Sequence, residues 1–328
     1  MPFAVRPRFN WRLRTRTLSL GPRTLLMGIL NVTPDSFSDG GQFLSTEPAL
    51  QHALEMLDDG ADILDIGGES TRPSAIPVTP AAEQARVLPV LRAILSARPE
   101  AILSIDTFHA ETARLAVESG AEIVNDVSGH LWDPTMSATC AALGCGAILM
   151  HTRGRPHEWR TLAALAPGEV LPLVLRDLES RAHQALAAGI AREAIVLDPG
   201  FGFGKAFDEN YPLLAHLDQL HTLGFPILAG VSRKSFLTRT LAATNLGAPP
   251  QPALNLPKGF ASEIQPGAPH LASEMWDSSR ELPTTAANTA AILAGAHILR
   301  VHDVRSAHQV AAIADRILQA ASDDLPLS

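Results

Sequence analysis

The chain has 328 residues, of which 46% are hydrophobic and 18% charged, with a formal net charge of −8. That balance supports a substantial core, excludes disorder over most of the length, and disfavours a protein that tracks nucleic-acid phosphates, which needs a basic excess. The length suits one α/β barrel of roughly 250 residues with additions as well as two average domains, and no apolar run reaches the ~18 residues of a membrane span, so the expectation is a cytoplasmic protein with neither membrane nor nucleic acid as partner.

Residues 1–23 hold six arginines, and the first acidic residue is Asp35. An Arg-rich, acid-free start is compatible with a transit peptide. Yet Trp11, Leu13, Thr15 and Thr17 alternate with Arg12, Arg14 and Arg16, the period of a strand, and Gly21-Pro22 supplies a turn signal. The favoured reading is an N-terminal extension, 1–23, folded as a β-hairpin.

From Thr24 onward a short run of Ile, Leu and Val, a loop with Gly, Ser or Pro, and an amphipathic stretch recur. The runs lie at 25–30, 61–66, 101–105, 121–124, 147–150, 194–197, 226–231 and 297–301. Continuous apolar strands are those buried on both faces of a parallel sheet. The segments between them, 48–59, 80–98, 109–119, 135–143, 169–188, 211–223, 284–294 and 306–321, read as helices, several ending at a glycine such as Gly60, Gly120 or Gly144. Eight such units close into a (β/α)8 TIM barrel over 24–321, with a C-terminal tail at 322–328. Cys140 and Cys145, on what reads as one helix, have neither disulfide-framework nor zinc spacing and read as small buried apolar residues. The interval between strands seven and eight is too long. After a helix at 234–243, residues 244–283 carry seven prolines and little periodicity, which predicts an irregular insertion, with a lid or partner arm as its functional alternative.

The residues just after each run carry the chemistry. Strand ends bring Asn31; Gly67 to Arg72; Asp106; Asn125-Asp126; His151; Asp198; Ser232-Arg233-Lys234; and Arg300, His302 and Asp303. One polar residue after a strand is usually a turn or a helix cap. Eight in succession on the face where barrel enzymes place their sites are better read as an active site. Asp106, Asn125 and Asp198 offer acceptors and an amide for the amidine-like edge of a heterocycle, and Lys234 is a donor for a carbonyl. Arg72, Arg233, Arg300 and His302 would make a cationic cluster for phosphate oxygens, and the side-chain oxygen of Asn31 suits Mg2+. Two motifs fail: Gly200-Phe201-Gly202-Phe203-Gly204-Lys205 has Pro199 where a phosphate loop begins and Ala206 where it needs Ser or Thr, and it is one residue short of the dinucleotide fingerprint.

The segments Gly28-Ile29-Leu30-Asn31-Val32-Thr33-Pro34-Asp35-Ser36-Phe37, Asp65-Ile66-Gly67-Gly68-Glu69-Ser70-Thr71-Arg72-Pro73, Leu197-Asp198-Pro199-Gly200-Phe201-Gly202-Phe203-Gly204-Lys205, Ser232-Arg233-Lys234-Ser235 and Arg300-Val301-His302-Asp303 closely resemble the dihydropteroate synthase family. The resemblance runs from about residue 25 to 320. It implies condensation of 6-hydroxymethyl-7,8-dihydropterin diphosphate with 4-aminobenzoate, giving dihydropteroate and diphosphate in folate synthesis. It implies that Asp106, Asn125, Asp198 and Lys234 hold the pterin and that Met150, Phe203 and Gly230 line its slot. Asn31 would bind Mg2+, while Thr71, Arg72, Arg300 and His302 would face the diphosphate. Phe37 and Pro73 would border the aminobenzoate, with Ser232 and Lys234 at its far edge, and Asp35 would stabilise the cation left when diphosphate departs. A homodimer through helices near the end of the barrel is also implied. The alternatives are a methyltetrahydrofolate-corrinoid methyltransferase, which needs no diphosphate cluster, a Schiff-base aldolase using Lys234, and a pterin-binding paralogue without activity.

Overall fold

The computed structural model describes residues 6–33, 46–70, 77–243 and 269–323. The chain opens with the expected hairpin, β1 (Phe9–Arg12) against β2 (Thr17–Leu20), antiparallel with Phe9 opposite Leu20 and Arg12 opposite Thr17. Its turn is at Leu13 to Arg16, closed by the Leu13 N–H donating to the Arg16 carbonyl at 2.8 Å. Gly21-Pro22, expected to make that turn, instead leads out of β2: Gly21 has φ +111°, which favours glycine, and a Cβ there would sit 2.6 Å from the Pro7 carbonyl.

Eight parallel strands follow: β3 (Leu25–Asn31), β4 (Ile63–Gly67), β5 (Leu103–Asp106), β6 (Ile123–Asp126), β7 (Gly146–Met150), β8 (Ile195–Asp198), β9 (Leu228–Ala229) and β10 (Ile298–Val301). They pair in the order β8-β7-β6-β5-β4-β3-β10-β9. A parallel bridge between Leu197 and Ile227, with the Leu197 N–H donating to the Pro226 carbonyl at 3.0 Å, joins the two ends of the sheet. The result is the expected (β/α)8 barrel. Strand seven, expected over 226–231, is shorter: its ladder with β10 covers Leu228 and Ala229, and Ile227 adds the bridge to Leu197.

The helices α1 (Thr46–Asp58), α2 (Pro80–Ala97), α3 (Ala110–Glu118), α4 (Met136–Leu143), α5 (Pro167–Ala187), α6 (Asn210–Ala215), α7 (Ser235–Ala243), α8 (Pro269–Leu293) and α9 (Val304–Asp323) surround the barrel. Thr79 caps α2 by accepting from the Ala82 N–H, with Pro80 at the first helical position where its missing donor costs nothing. Three expectations are corrected. The helix expected over 211–223 breaks at His216 into α6 and a 3-10 segment, Leu217–Leu223; Leu217 and Leu220, three apart and both buried, fit the tighter winding as well as they fit an α-helix. Cys140 and Cys145 are both free and buried, but α4 ends at Leu143 and the left-handed Gly144 places Cys145 on the approach to β7. The insertion read as irregular over 244–283 is helical from Pro269, since α8 continues through Pro283. A proline removes one donor without ending a helix whose flanks stay packed, and the Thr284 hydroxyl, bonded to the Arg280 carbonyl at 2.7 Å, holds the turn that spans it. Glu281 also stands 3.7 Å from Arg233, so the part of this stretch next to the barrel is tied to the strand-seven loop.

Side chains alternate across each strand. Leu30, Leu64, Ile66, Leu103, Ile105, Val124, Leu149 and Leu197 face the helices, whereas Leu25, Met27, Ile63, Ile123, Ile148, Val196, Leu228 and Ile298 fill the lower barrel interior. Trp11, Leu13 and Leu20 of the hairpin belong to this inner cluster and are 0%, 2% and 0% exposed. The hairpin is therefore the floor of the barrel. Its arginines fasten it: Arg14 donates to the Val117 carbonyl, Arg16 lies 3.3 Å from Glu122, the Thr15 N–H donates to Glu122 at 2.8 Å, and Arg6 pairs with buried Asp315 at 2.8 Å. The basic run is used internally.

Trp11 also donates its indole N–H to the Ala194 carbonyl at 2.9 Å. Trp11→Ala should cost about 3–5 kcal/mol of stability, the cost of an unfilled cavity in a packed core, read from urea unfolding; a loss below ~1 kcal/mol would show that the hairpin does not seal the interior.

Candidate active site at the barrel mouth

Two residues above the apolar floor layer, the same inward face of the strands turns polar. Above Ile63 on β4 stands Asp65; above Ile123 on β6, Asn125; above Val196 on β8, Asp198; and above Ile298 on β10, Arg300. Met150 ends β7 on this face, Asp106 ends β5, and Gly230 follows β9. Period-two alternation alone gathers them, because each strand is in parallel register with the next: Gly67 opposite Asp106, Asp106 opposite Asn125, Met150 opposite Asp198.

Arg300 lies across this layer. Its Nε donates to Asp65 Oδ2 at 2.6 Å and one terminal nitrogen donates to Asp106 Oδ2 at 2.6 Å, while Asn125 Nδ2 donates to the same Asp65 oxygen at 2.8 Å. Two carboxylates thus share one guanidinium. Burial, with the charge of Asp65 adding to it, pushes the Asp106 carboxyl up to about 7 against the pull of Arg300. Asp198, 4% exposed, is likewise raised by burial, although the Gly200 N–H donates to its Oδ1 at 2.7 Å. Burial and then the charge of Arg300 push Lys234 down to about 8, against the attraction of Asp198 and Asp106. The Lys234 ammonium stands 3.9 Å above the ring of Phe203, and Trp159 meets the same ring edge-on at 5.4 Å.

Gly230 and Gly202 border this space: a Cβ on Gly230 would lie 3.9 Å from both Asp198 Oδ2 and Arg300, and one on Gly202 would lie 3.5 Å from Lys234. Ser232 and His302 form a separate pair at the rim, with Ser232 Oγ 3.0 Å from His302 Nδ1 and accepting from the His302 N–H at 3.3 Å. Asn31 ends β3 half-buried at the mouth. Asp35, Phe37, Thr71, Arg72 and Pro73 lie outside the described residues.

Several strand-end groups do not join the site. Arg233, with φ +56°, turns toward Glu281, and its N–H donates to Thr284 at 3.0 Å; of the cationic cluster expected from Arg72, Arg233, Arg300 and His302, Arg233 and Arg300 are paired with carboxylates and Arg72 lies outside the described residues. Asp126 faces outward and accepts from the Ser128 and His130 N–H groups at 2.7 and 3.0 Å. His151 turns to Asp177 at 3.3 Å, and Asp303 caps α9 through Ser306 at 2.9 Å. Asp65, by contrast, is central and was not singled out. Its signal is in the sequence: an acid two residues after Ile63, inside an apolar strand and on the inward parity.

The family described as pterin binding enzyme matches residues 27–302. The dihydropteroate synthase of Mycobacterium leprae is 40% identical over 295 residues, covering 88% of this chain and 91% of its own. The chain belongs to the dihydropteroate synthase family. That of Bacillus subtilis is 44% identical over 224 residues, 68% of this chain and 75% of its own. A solved structure of the Xanthomonas albilineans enzyme with 4-aminobenzoic acid superposes with a TM-score of 0.76 at 36% identity, covering 98% of this chain and 100% of that one. The activity is that of a transferase: condensation of 6-hydroxymethyl-7,8-dihydropterin diphosphate with 4-aminobenzoate.

Because Asp65 accepts from two buried donors, Asp65→Ala should cost about 3 kcal/mol or more, as expected when one partner of a buried ion pair is removed. Asp65→Asn, which keeps an acceptor for Asn125, should cost less. Equal losses in urea unfolding would show that the negative charge of Asp65, and not its acceptor for Asn125, is what stabilises the layer.

Proposed function

We propose that the pterin ring is seated on the inward polar layer, with Asp106, Asn125 and Asp198 against its amidine-like edge, Lys234 on its carbonyl, and Met150, Phe203 and Gly230 lining the slot. The observation that carries this reading is the convergence of these groups, from five successive strands, on one buried face. Buried acceptors of this kind are costly unless a donor meets them, and the N–H-rich edge of a pterin supplies donors. Two nitrogens of Arg300 are held by carboxylates, leaving Nη1 to meet a diphosphate oxygen, and His302, Thr71 and Arg72 would also face the diphosphate. Phe37, Pro73 and Ser232 would border the aminobenzoate. Support for its binding comes from the Xanthomonas albilineans structures with 4-aminobenzoic acid and with 7,8-dihydropteroate.

In the reaction, the bond from the pterin methylene to diphosphate breaks with its electron pair going to oxygen, and the aromatic amine forms the new C–N bond and loses a proton. Arg300 and His302 would balance the charge growing on the leaving group, and Asp35 would stabilise the cation on the pterin. Among the described residues no group of three His, Cys, Asp or Glu side chains could hold a metal ion. The single hard oxygen of Asn31 therefore fits Mg2+ only as that ion commonly binds, with most of its shell from water and substrate phosphate. When bound, Mg2+ would neutralise charge on the diphosphate.

We also place the enzyme in the cytoplasm as a homodimer. Both cysteines are free, and Leu282 on α8 and Ile313 on α9 are 79% and 67% exposed, apolar surface on helices near the end of the barrel. The test of the function is formation of dihydropteroate from the two substrates in a magnesium titration.

Lys234 makes a charge-assisted hydrogen bond only while protonated. Since its pKa is lowered to about 8, kcat/KM should fall as the pH rises through about 8, and Lys234→Arg should move that limb upward. Lys234→Ala should lose at least ~1.5 kcal/mol of transition-state binding, the lower range for a charged hydrogen bond. A profile flat to pH 10 would remove Lys234 from pterin recognition.

Asp198 and Asn31 should fail differently. In calorimetry with 6-hydroxymethylpterin, Asp198→Ala should lose the ligand, whereas Asn31→Ala should keep it and lose magnesium-dependent turnover. The reverse pattern would show that the ligand lies the other way round.

A further inference from the structure

The backbone leaving β7 presents three successive carbonyls, those of Met150, His151 and Thr152, to two buried cations. Arg181, on α5 and 5% exposed, donates one terminal nitrogen to the Met150 carbonyl and the other to the Thr152 carbonyl at 3.0 Å. Lys205, 5% exposed, reaches the carbonyl between them, His151, at 3.4 Å. The same ammonium donates to the carbonyls of Gly200 at 2.7 Å and Phe203 at 3.3 Å. Lys205 therefore ties the loop after β8 to the end of β7. The two backbones meet so closely that a Cβ on Gly200, at φ +64°, would stand 2.0 Å from the His151 carbonyl.

An ammonium removed from water and given carbonyl acceptors is costly to keep, and burial accordingly holds Lys205 well below the ordinary lysine range. The reaction has no step for it, since its donors are engaged by backbone. Its effect is on the floor of the site. Gly200 carries the N–H that fixes Asp198, Phe203 carries the ring beneath Lys234, and Met150 ends the strand beside Asp198.

We propose that Lys205, with Arg181, is a positioning residue for the pterin seat, setting the relative height of Met150, Asp198 and Phe203 by gripping the carbonyls at the ends of β7 and β8. The inference rests on the pterin seat proposed above. A displacement of about 1 Å at such a seat is enough to cost up to ~100-fold.

Lys205→Met keeps the chain length and removes the charge. In calorimetry with 6-hydroxymethylpterin on the folded protein, its affinity should fall at least about tenfold, with KM for the pterin substrate rising more than kcat falls, and Lys205→Arg should recover part of the loss. A lowered Tm with wild-type pterin affinity would overturn the proposal, because a merely structural lysine would give that result. Should Lys205→Met not fold, Lys205→Arg and Arg181→Lys retain a cation of altered reach and are read the same way: weakened pterin binding supports the proposal and unchanged binding overturns it. Asp198→Ala run alongside separates the two levels. If it binds the pterin as wild type does, the seat itself is wrong; if it loses the pterin while Lys205→Met keeps it, the seat stands and the grip falls.

Discussion

One guanidinium between two carboxylates organises the mouth of this barrel. Arg300, Asp65 and Asp106 come from β10, β4 and β5, which β3 brings into one run of neighbouring strands, so the ion pairs join residues from opposite ends of the sequence. A buried trio with one positive and two negative charges keeps a residual negative charge, which lies beside Lys234 and near Asp198. Burial lowers Lys234, with the charge of Arg300 adding to it, and burial raises Asp106 and Asp198, with the charge of Asp65 adding to the crowding at Asp106. A ligand that brings N–H donors to the carboxylates relieves it, and a ligand without them does not. On the proposed seat, selectivity for a donor-rich heterocycle would arise from the charge arrangement before any shape is considered.

The barrel is built in layers that assign different work to different heights. Its lower interior is apolar and closed by Trp11 and its neighbours; its middle is polar; its rim carries loops. The apolar layer beneath gives the polar layer a low dielectric, which strengthens each hydrogen bond made in it. The loop ends after β7 and β8 are held by Arg181 and Lys205.

Much of this was legible in the residues. Continuous apolar runs followed by glycine-terminated helices gave eight units, and the motifs at their ends named the family. Strand parity, applied to Asp65 after Ile63, would also have found the partner of Arg300. Other features depend on distance in space and leave no local trace. That Arg300 turns inward to carboxylates rather than outward with His302, that Arg233 leans to Glu281, and that His151 faces Asp177 are decided by neighbours remote in sequence. The last part of the proline-rich stretch, 269–283, misled for a local reason: Pro269 opens a helix and Pro283 sits inside one, and composition alone does not distinguish a proline at a helix start or within it from one in a loop; residues 244–268 lie outside the described residues.

The hairpin at the barrel floor also bears on how the chain is made. Trp11 is synthesised long before Ile298, the residue that completes its cluster. Until β10 has been synthesised, an exposed indole and two leucines wait for a cavity that does not yet exist. Contacts spanning nearly the whole chain slow folding and prolong the life of sticky intermediates. Arg12, Arg14 and Arg16 alternate with those apolar residues, and charges so placed oppose the self-association of an unpaired apolar segment.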